Sequence, residues 1–136
     1  MKEFLEVVKE LNEKRSWVRK GFENFISELE NLLREKVGTD APIVKIGEYT
    51  LERGSFKLYV FYEPKKQRMC CDVEIVMCAS RFSLNELSIE EIKELTRSIP
   101  EVFGKEVERL KAILKDDLKV LSILENLNSI FKNISK

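Results

Sequence analysis

Apolar and polar positions alternate with two different periods along this chain, and the change of period divides it into three parts. From Met1 to Val37 the period is helical. Phe4, Val8, Leu11, Val18, Phe22, Phe25, Leu29 and Leu32 follow a four-three spacing, and only Arg15 stands where an apolar residue is due. Such a seam, held for about four heptads, marks coiled-coil-like packing. Val7, Ile26 and Leu33 widen it into a stripe suited to a sheet or a second helix. Gly21 weakens the middle, so the pattern predicts one long helix with a break near Lys14–Ser16 or a kink near Gly21. Gly38 reads as its stop, and Asp40-Ala41-Pro42 leads extended chain onward.

From Ile43 to Ala79 the period drops to two. Phe56, Leu58, Val60 and Tyr62 share one face, and Lys57, Tyr59, Phe61 and Glu63 share the other. The same alternation sets Cys71, Val73, Ile75, Met77 and Ala79 against Cys70, Asp72, Glu74, Val76 and Cys78. Arg53-Gly54 supplies a tight turn, and Pro64, which lacks a backbone donor, ends the middle strand at Glu63. Short connections make antiparallel neighbours. The expectation is a three-stranded meander near Ile43–Leu51, Ser55–Glu63 and Met69–Ala79, with one face fully covered.

After Ala79 helical spacing returns. Ser83-x-x-Glu86, Ser88-x-x-Glu91 and Ser98-x-x-Glu101 each have capping-box spacing. They predict a short turn at Leu84–Leu87, a helix over Ile89–Arg97 and another from Ile99, with Pro100 in its first turn. Phe103, Val107, Leu110, Leu114, Leu121, Leu124 and Phe131 again run four-three, with Asp117 and Asn128 as polar exceptions. Asp116-Asp117 suggests a further break. Val120, Ile123, Leu127, Ile130 and Ile134 add a second stripe.

The fold class expected is therefore α+β: a long N-terminal helix, a three-stranded antiparallel meander and two or three C-terminal helices packed on one sheet face, in a single domain over residues 1–136. The helices are expected to pair through their stripes. One sheet face cannot bury both stripes of the last helix, so Leu121, Leu124, Leu127, Ile130, Phe131 and Ile134 are the expected partner interface. The simplest partner is a second copy of the chain, giving a homodimer.

Composition narrows the chemistry. A chain of 136 residues with 43% hydrophobic and 35% charged residues can build a real core. Lys plus Arg equals Asp plus Glu at 24 each, so there is no bulk attraction to nucleic acid or anionic membranes. The absence of histidine removes histidine-based triads and the commonest transition-metal ligand. The three cysteines, Cys70, Cys71 and Cys78, read as small buried hydrophobes of a reducing compartment, and a cytoplasmic location is expected. On one continuous strand Cys70 and Cys78 would stand ~26 Å apart, too far for a disulfide or a shared ion. Abundant Lys and Glu with a single glutamine is thermophile-like usage. No apolar run reaches the ~20 residues of a membrane span. No cofactor or resident metal is expected.

Two other constellations carry chemistry. Lys14, Arg15, Arg19 and Lys20 surround Trp17, and Lys65, Lys66 and Arg68 crowd the loop after the second strand. Cations beside an aromatic suit phosphate contact with base stacking, which makes an accessory nucleic-acid-binding role the second reading. It requires both clusters on one side of the fold. Gly54-Ser55, followed by Asp72-Val73-Glu74, resembles the core motif of the nucleotidyltransferase superfamily, where the turn holds the triphosphate and the acidic pair binds Mg²⁺. The resemblance implies roles for Gly54, Ser55, Asp72 and Glu74, although Lys57–Tyr62 reads as strand where that superfamily has a helix. The same acids resemble a restriction-nuclease core, with Val76 in place of its lysine. A solvated outer strand face gives two acids at this spacing in many antiparallel strands, and that is the reading preferred here. The reading adopted is an interaction or adaptor protein without catalysis of its own.

Overall fold

The alternation over Phe56–Glu63 and the helical spacing on either side build the elements they imply. In the computed structural model, which describes residues 1–52, 56–75, 78–82 and 84–134, the order is α1 (Lys2–Lys36), β1 (Val44–Leu51), β2 (Phe56–Glu63), β3 (Arg68–Ile75), β4 (Cys78–Phe82), a 3-10 turn (Leu84–Glu86) and α2 (Ile89–Ile134). The class is α+β, with a long N-terminal helix, an antiparallel sheet and a C-terminal helix. The chain divides into two compact units, Met1–Phe103 and Gly104–Lys136, so α2 contributes to both.

In the first unit the sheet is an antiparallel meander, β1-β2-β3-β4. It has four strands rather than three. The stretch expected as one strand, Met69–Ala79, ends as β3 at Ile75, and Ile75 then pairs with Cys78 of β4. The sequence between them, Val76-Met77, has none of the Gly, Asn or Asp that marks a tight turn, so nothing in the alternation signals where β3 gives way to β4. Five residues separate Cys70 from Ile75, so Cys70 and Cys78 stand roughly 17 Å apart by strand rise rather than ~26 Å. Cys70 and Cys71 are both free thiols.

The core-facing sets of β2 and β3 are the ones the alternation predicts, Leu58 and Val60 with Cys71 and Val73, and β1 adds Tyr49 and Leu51. β1 departs from regularity once. Lys45 pairs with Phe61 and Gly47 with Val60, which leaves Ile46 in a bulge and turns two consecutive residues inward. Gly47 is there for space. A Cβ at Gly47 would collide with Val102 Cγ1 of α2 and lie 3.0 Å from the Tyr49 ring. The missing side chain lets the helix approach the sheet.

α1 runs unbroken through Lys14–Ser16 and Gly21. It ends at Lys36, with Val37 extended and its N–H donating to the Leu33 carbonyl at 2.8 Å. Gly38 has no positive φ and is not the left-handed stop its position suggested. The face of α1 on the core is Phe22, Ile26, Leu29 and Leu33. These positions recur every three to four residues and complete three turns in eleven, as a straight helix on a sheet requires. The expected heptad seam is not what packs: Phe4, Leu11, Val18, Phe25 and Leu32 are exposed.

Polar contacts clamp α1 on both sides. Arg15 Nη2 meets Glu90 Oε1 at 3.1 Å, and Arg19 Nη1 donates to the Leu87 carbonyl at 3.3 Å. Further along, Glu30 Oε2 accepts from the Met69 N–H at 3.1 Å and Arg34 Nη2 donates to the Gln67 carbonyl at 3.0 Å. The loop it grips follows Pro64, and β2 ends at Glu63 as the proline dictates. Gln67 takes φ 53°, the left-handed turn position, before β3 starts.

α2 starts on the expected capping box: Ser88 N–H donates to Glu91 Oε1 at 2.8 Å, and Glu91 N–H donates to Ser88 Oγ at 3.2 Å. Ser83 lies outside the described residues. The box at Ser98 is not formed. Ser98 Oγ donates back to the Glu94 carbonyl at 3.1 Å, Thr96 Oγ1 donates to the Ile92 carbonyl at 2.7 Å, and the helix continues through Pro100. Asp116-Asp117 does not break it either. One helix therefore stands where two or three were expected. Ile92, Leu95, Ile99, Val102 and Phe103 are the part of it that packs in the first unit.

The second unit is helix from Gly104 to Ile134, about 46 Å long at the α-helical rise.

Candidate interaction surface

The second unit presents apolar side chains across an unusually wide arc. At the 3.5-residue period of the seam, Val107, Leu114 and Leu121 lie on one line. Leu110, Leu124 and Phe131 lie about 50° to one side, Ile113, Val120 and Leu127 about 50° further, and Ile123 and Ile130 about 50° beyond those, while Leu118 lies about 50° to the other side. The arc covers about 200°, against ~100° for an ordinary surface helix. Lys115, Lys119, Ser122, Asn126 and Ser129 occupy the opposite side. Between Val107 and Ile134, thirteen large apolar side chains among the described residues are 43 to 74% exposed. The six expected interface residues, Leu121, Leu124, Leu127, Ile130, Phe131 and Ile134, are all among them. Asp117 and Asn128, the polar exceptions on the seam, are exposed as well.

The first unit carries a smaller surface of the same kind, at the other end of the chain. Phe4, Leu5, Val7 and Leu11 of α1 are exposed. The apolar crevice lined by Phe22, Ile26, Tyr49, Val60, Leu95 and Phe103 encloses about 10 Å³, less than a bound organic molecule needs.

The basic residues fall into two separate places. Arg15 and Arg19 are engaged with Glu90 and the Leu87 carbonyl, holding α1 to the start of α2. Trp17 is 59% exposed, with Lys14 Nζ 3.8 Å above its ring, and Lys20 is exposed nearby on the helix. Lys65, Lys66 and Arg68 lie around the β2–β3 loop, where Lys66 Nζ meets Glu63 Oε2 at 3.5 Å. That loop is gripped by Arg34, seventeen residues along α1 from Trp17, so the clusters stand roughly 25 Å apart along the helix axis. The fold does not bring them together.

The acidic pair is on β3. Asp72 is half-buried, pairs with Tyr59 of β2 and Arg81 of β4, and lies on the sheet face opposite Cys71 and Val73. Glu74 holds the register position opposite Lys57. On the same outer face Lys57 Nζ meets Glu48 Oε1 at 3.8 Å. Gly54 and Ser55 lie outside the described residues. Among the described residues no three His, Cys, Asp or Glu side chains converge as a metal site. No helix among them is long and apolar enough to cross a membrane. Compared with protein-family models, with curated proteins and with solved structures, the chain finds no significant match.

Proposed function

We propose that this chain is a self-associating interaction protein, a homodimer whose association element is the helix Gly104–Ile134. Met1–Phe103 serves as the folded platform that carries it. The observation behind the reading is the thirteen exposed apolar side chains of that helix. At about half exposure each, they leave on the order of 1,000 Å² of apolar surface per protomer, and a standard-size interface buries about 800 Å² per partner. Isolated helices are marginal in water, and most helical stability comes from packing an amphipathic face. A second copy supplies such packing at no cost in sequence complexity.

The division of labour follows from the side chains. Leucine, isoleucine and valine in the arc supply the affinity. Lys111, Glu125 and Lys132 at its edge are wet and contribute register more than free energy. The exposed stripe at Phe4–Leu11 is a place where an assembled dimer could receive a further apolar partner segment. Light scattering on the eluting full chain at 1 to 100 µM tests the proposal. A mass of twice 16.0 kDa is expected. A monomer throughout that range refutes it.

A further inference from the structure

The seam of the second unit has two polar positions, and they are placed so that each can answer the other. Asp117 and Asn128 interrupt the four-three line of Leu114, Leu121, Leu124 and Phe131. If two copies run parallel in register, Asp117 meets Asp117, a like-charge pair inside an apolar seam. If they run antiparallel about a twofold between Ser122 and Ile123, Asp117 and Asn128 are equidistant from the centre. Each Asp117 then lies level with Asn128 of the second copy, whose amide can donate to the carboxylate. In the same register Leu121 lies level with Leu124 of the second copy, and Leu114 with Phe131.

The edges of the seam agree with this direction. One edge is apolar, with Ile113, Val120 and Leu127, and the other is polar at three of four positions, with Lys111, Glu125 and Lys132 around Leu118. Antiparallel helices set like edges together, apolar on apolar and wet on wet. Parallel helices set the apolar edge of each against the charged edge of its mate. Lys111 does approach Lys132 of the second copy at the antiparallel rim, where solvent and salt screen the repulsion. The second stripe offers no competing polar match, because Asp116 is its one polar interruption and only apolar residues could lie opposite it.

We infer that two copies of this chain associate through an antiparallel pairing of Gly104–Ile134, in the register that sets Asp117 of each against Asn128 of the other. The inference rests on the self-association proposed above. A buried polar pair of this kind fixes direction and register by excluding alternatives, the best-attested use of polar seam residues.

Sedimentation equilibrium of the full chain tests it with Asn128→Asp, Asp117→Lys and the double variant. Asn128→Asp sets two carboxylates face to face in both symmetry-related layers, and Kd should rise at least about 100-fold. Asp117→Lys with Asn128→Asp restores opposite charges across an antiparallel seam and should recover at least about tenfold of that loss. In a parallel dimer the double variant creates Lys–Lys and Asp–Asp layers and is the weakest of the set. Recovery of less than tenfold overturns the antiparallel register and leaves self-association standing. A wild-type chain monomeric at every concentration overturns both. Circular dichroism of each variant confirms that the helices persist, as expected for substitutions at exposed positions.

Discussion

Truncating two neighbouring seam leucines separates the proposed association surface from the folded core. Leu121 and Leu124 are 53% and 48% exposed. Burying a whole leucine side chain contributes about 1.5–3 kcal/mol, so covering the remaining half contributes about 1 kcal/mol. A homodimer covers four such halves. Leu121→Ala with Leu124→Ala should therefore weaken association by about 3–4 kcal/mol, roughly 10²- to 10³-fold in Kd. Alanine keeps or improves helix propensity, so the helix itself is not the casualty. The assay is sedimentation equilibrium for Kd, paired with urea unfolding below the wild-type Kd. The unfolding free energy of the monomer should stay within about 0.5 kcal/mol of wild type, because the two residues lie outside the core. A Kd within threefold of wild type refutes the placement of these leucines in the interface. A large loss of monomer stability refutes the claim that they are exposed in the monomer.

Two further substitutions probe how the first unit is built. Gly47→Ala places a methyl group against Val102 Cγ1 and the Tyr49 ring, and it should destabilise by about 1–3 kcal/mol with an unchanged urea slope; an effect below 0.5 kcal/mol contradicts the close approach of α2 to β1. Pro100→Ala restores an N–H to the middle of α2 at an exposed position, and it should stabilise by about 1–2 kcal/mol after the larger entropy of the unfolded chain is counted; a loss of stability contradicts a helix continuous through residue 100.

Local chemistry that only one structure can satisfy was legible in the chain itself. Alternation over Phe56–Glu63 selects the core face of β2 because Leu58, Val60 and Tyr62 can face only one way together. Pro64 ends that strand for want of a donor. Ser88 and Glu91 cap α2 because the two groups satisfy each other's backbone amides. Ambiguous chemistry misled. Ser98-x-x-Glu101 has the spacing of a cap, yet the Ser98 hydroxyl bonds the Glu94 carbonyl, an option open to any helical serine. No Gly, Asn or Asp stands between Ile75 and Cys78 in the sequence, so periodicity alone does not separate β3 from β4. The α1 seam failed for a different reason. Heptad and three-turn spacings share Phe22 and Leu29, and only the sheet beneath decides that Ile26 and Leu33, rather than Phe25 and Leu32, go inward.

The exposed apolar surface was legible as surplus. More apolar stripe was written into residues 103–134 than one sheet face can bury, and the structure leaves Leu121, Leu127 and Ile134 exposed. The two basic clusters were legible as composition but not as a site, since only the fold reveals the ~25 Å of α1 between them.

Amide hydrogen exchange measured as a function of protein concentration tests the central claim most directly. The expected result is protection across 104–134 that rises from micromolar to hundred-micromolar concentration, while amides of β2 and β3 exchange at rates independent of concentration. Exchange across 104–134 that does not change over that range would contradict it, because a helix face covered by a second copy must be uncovered by dilution.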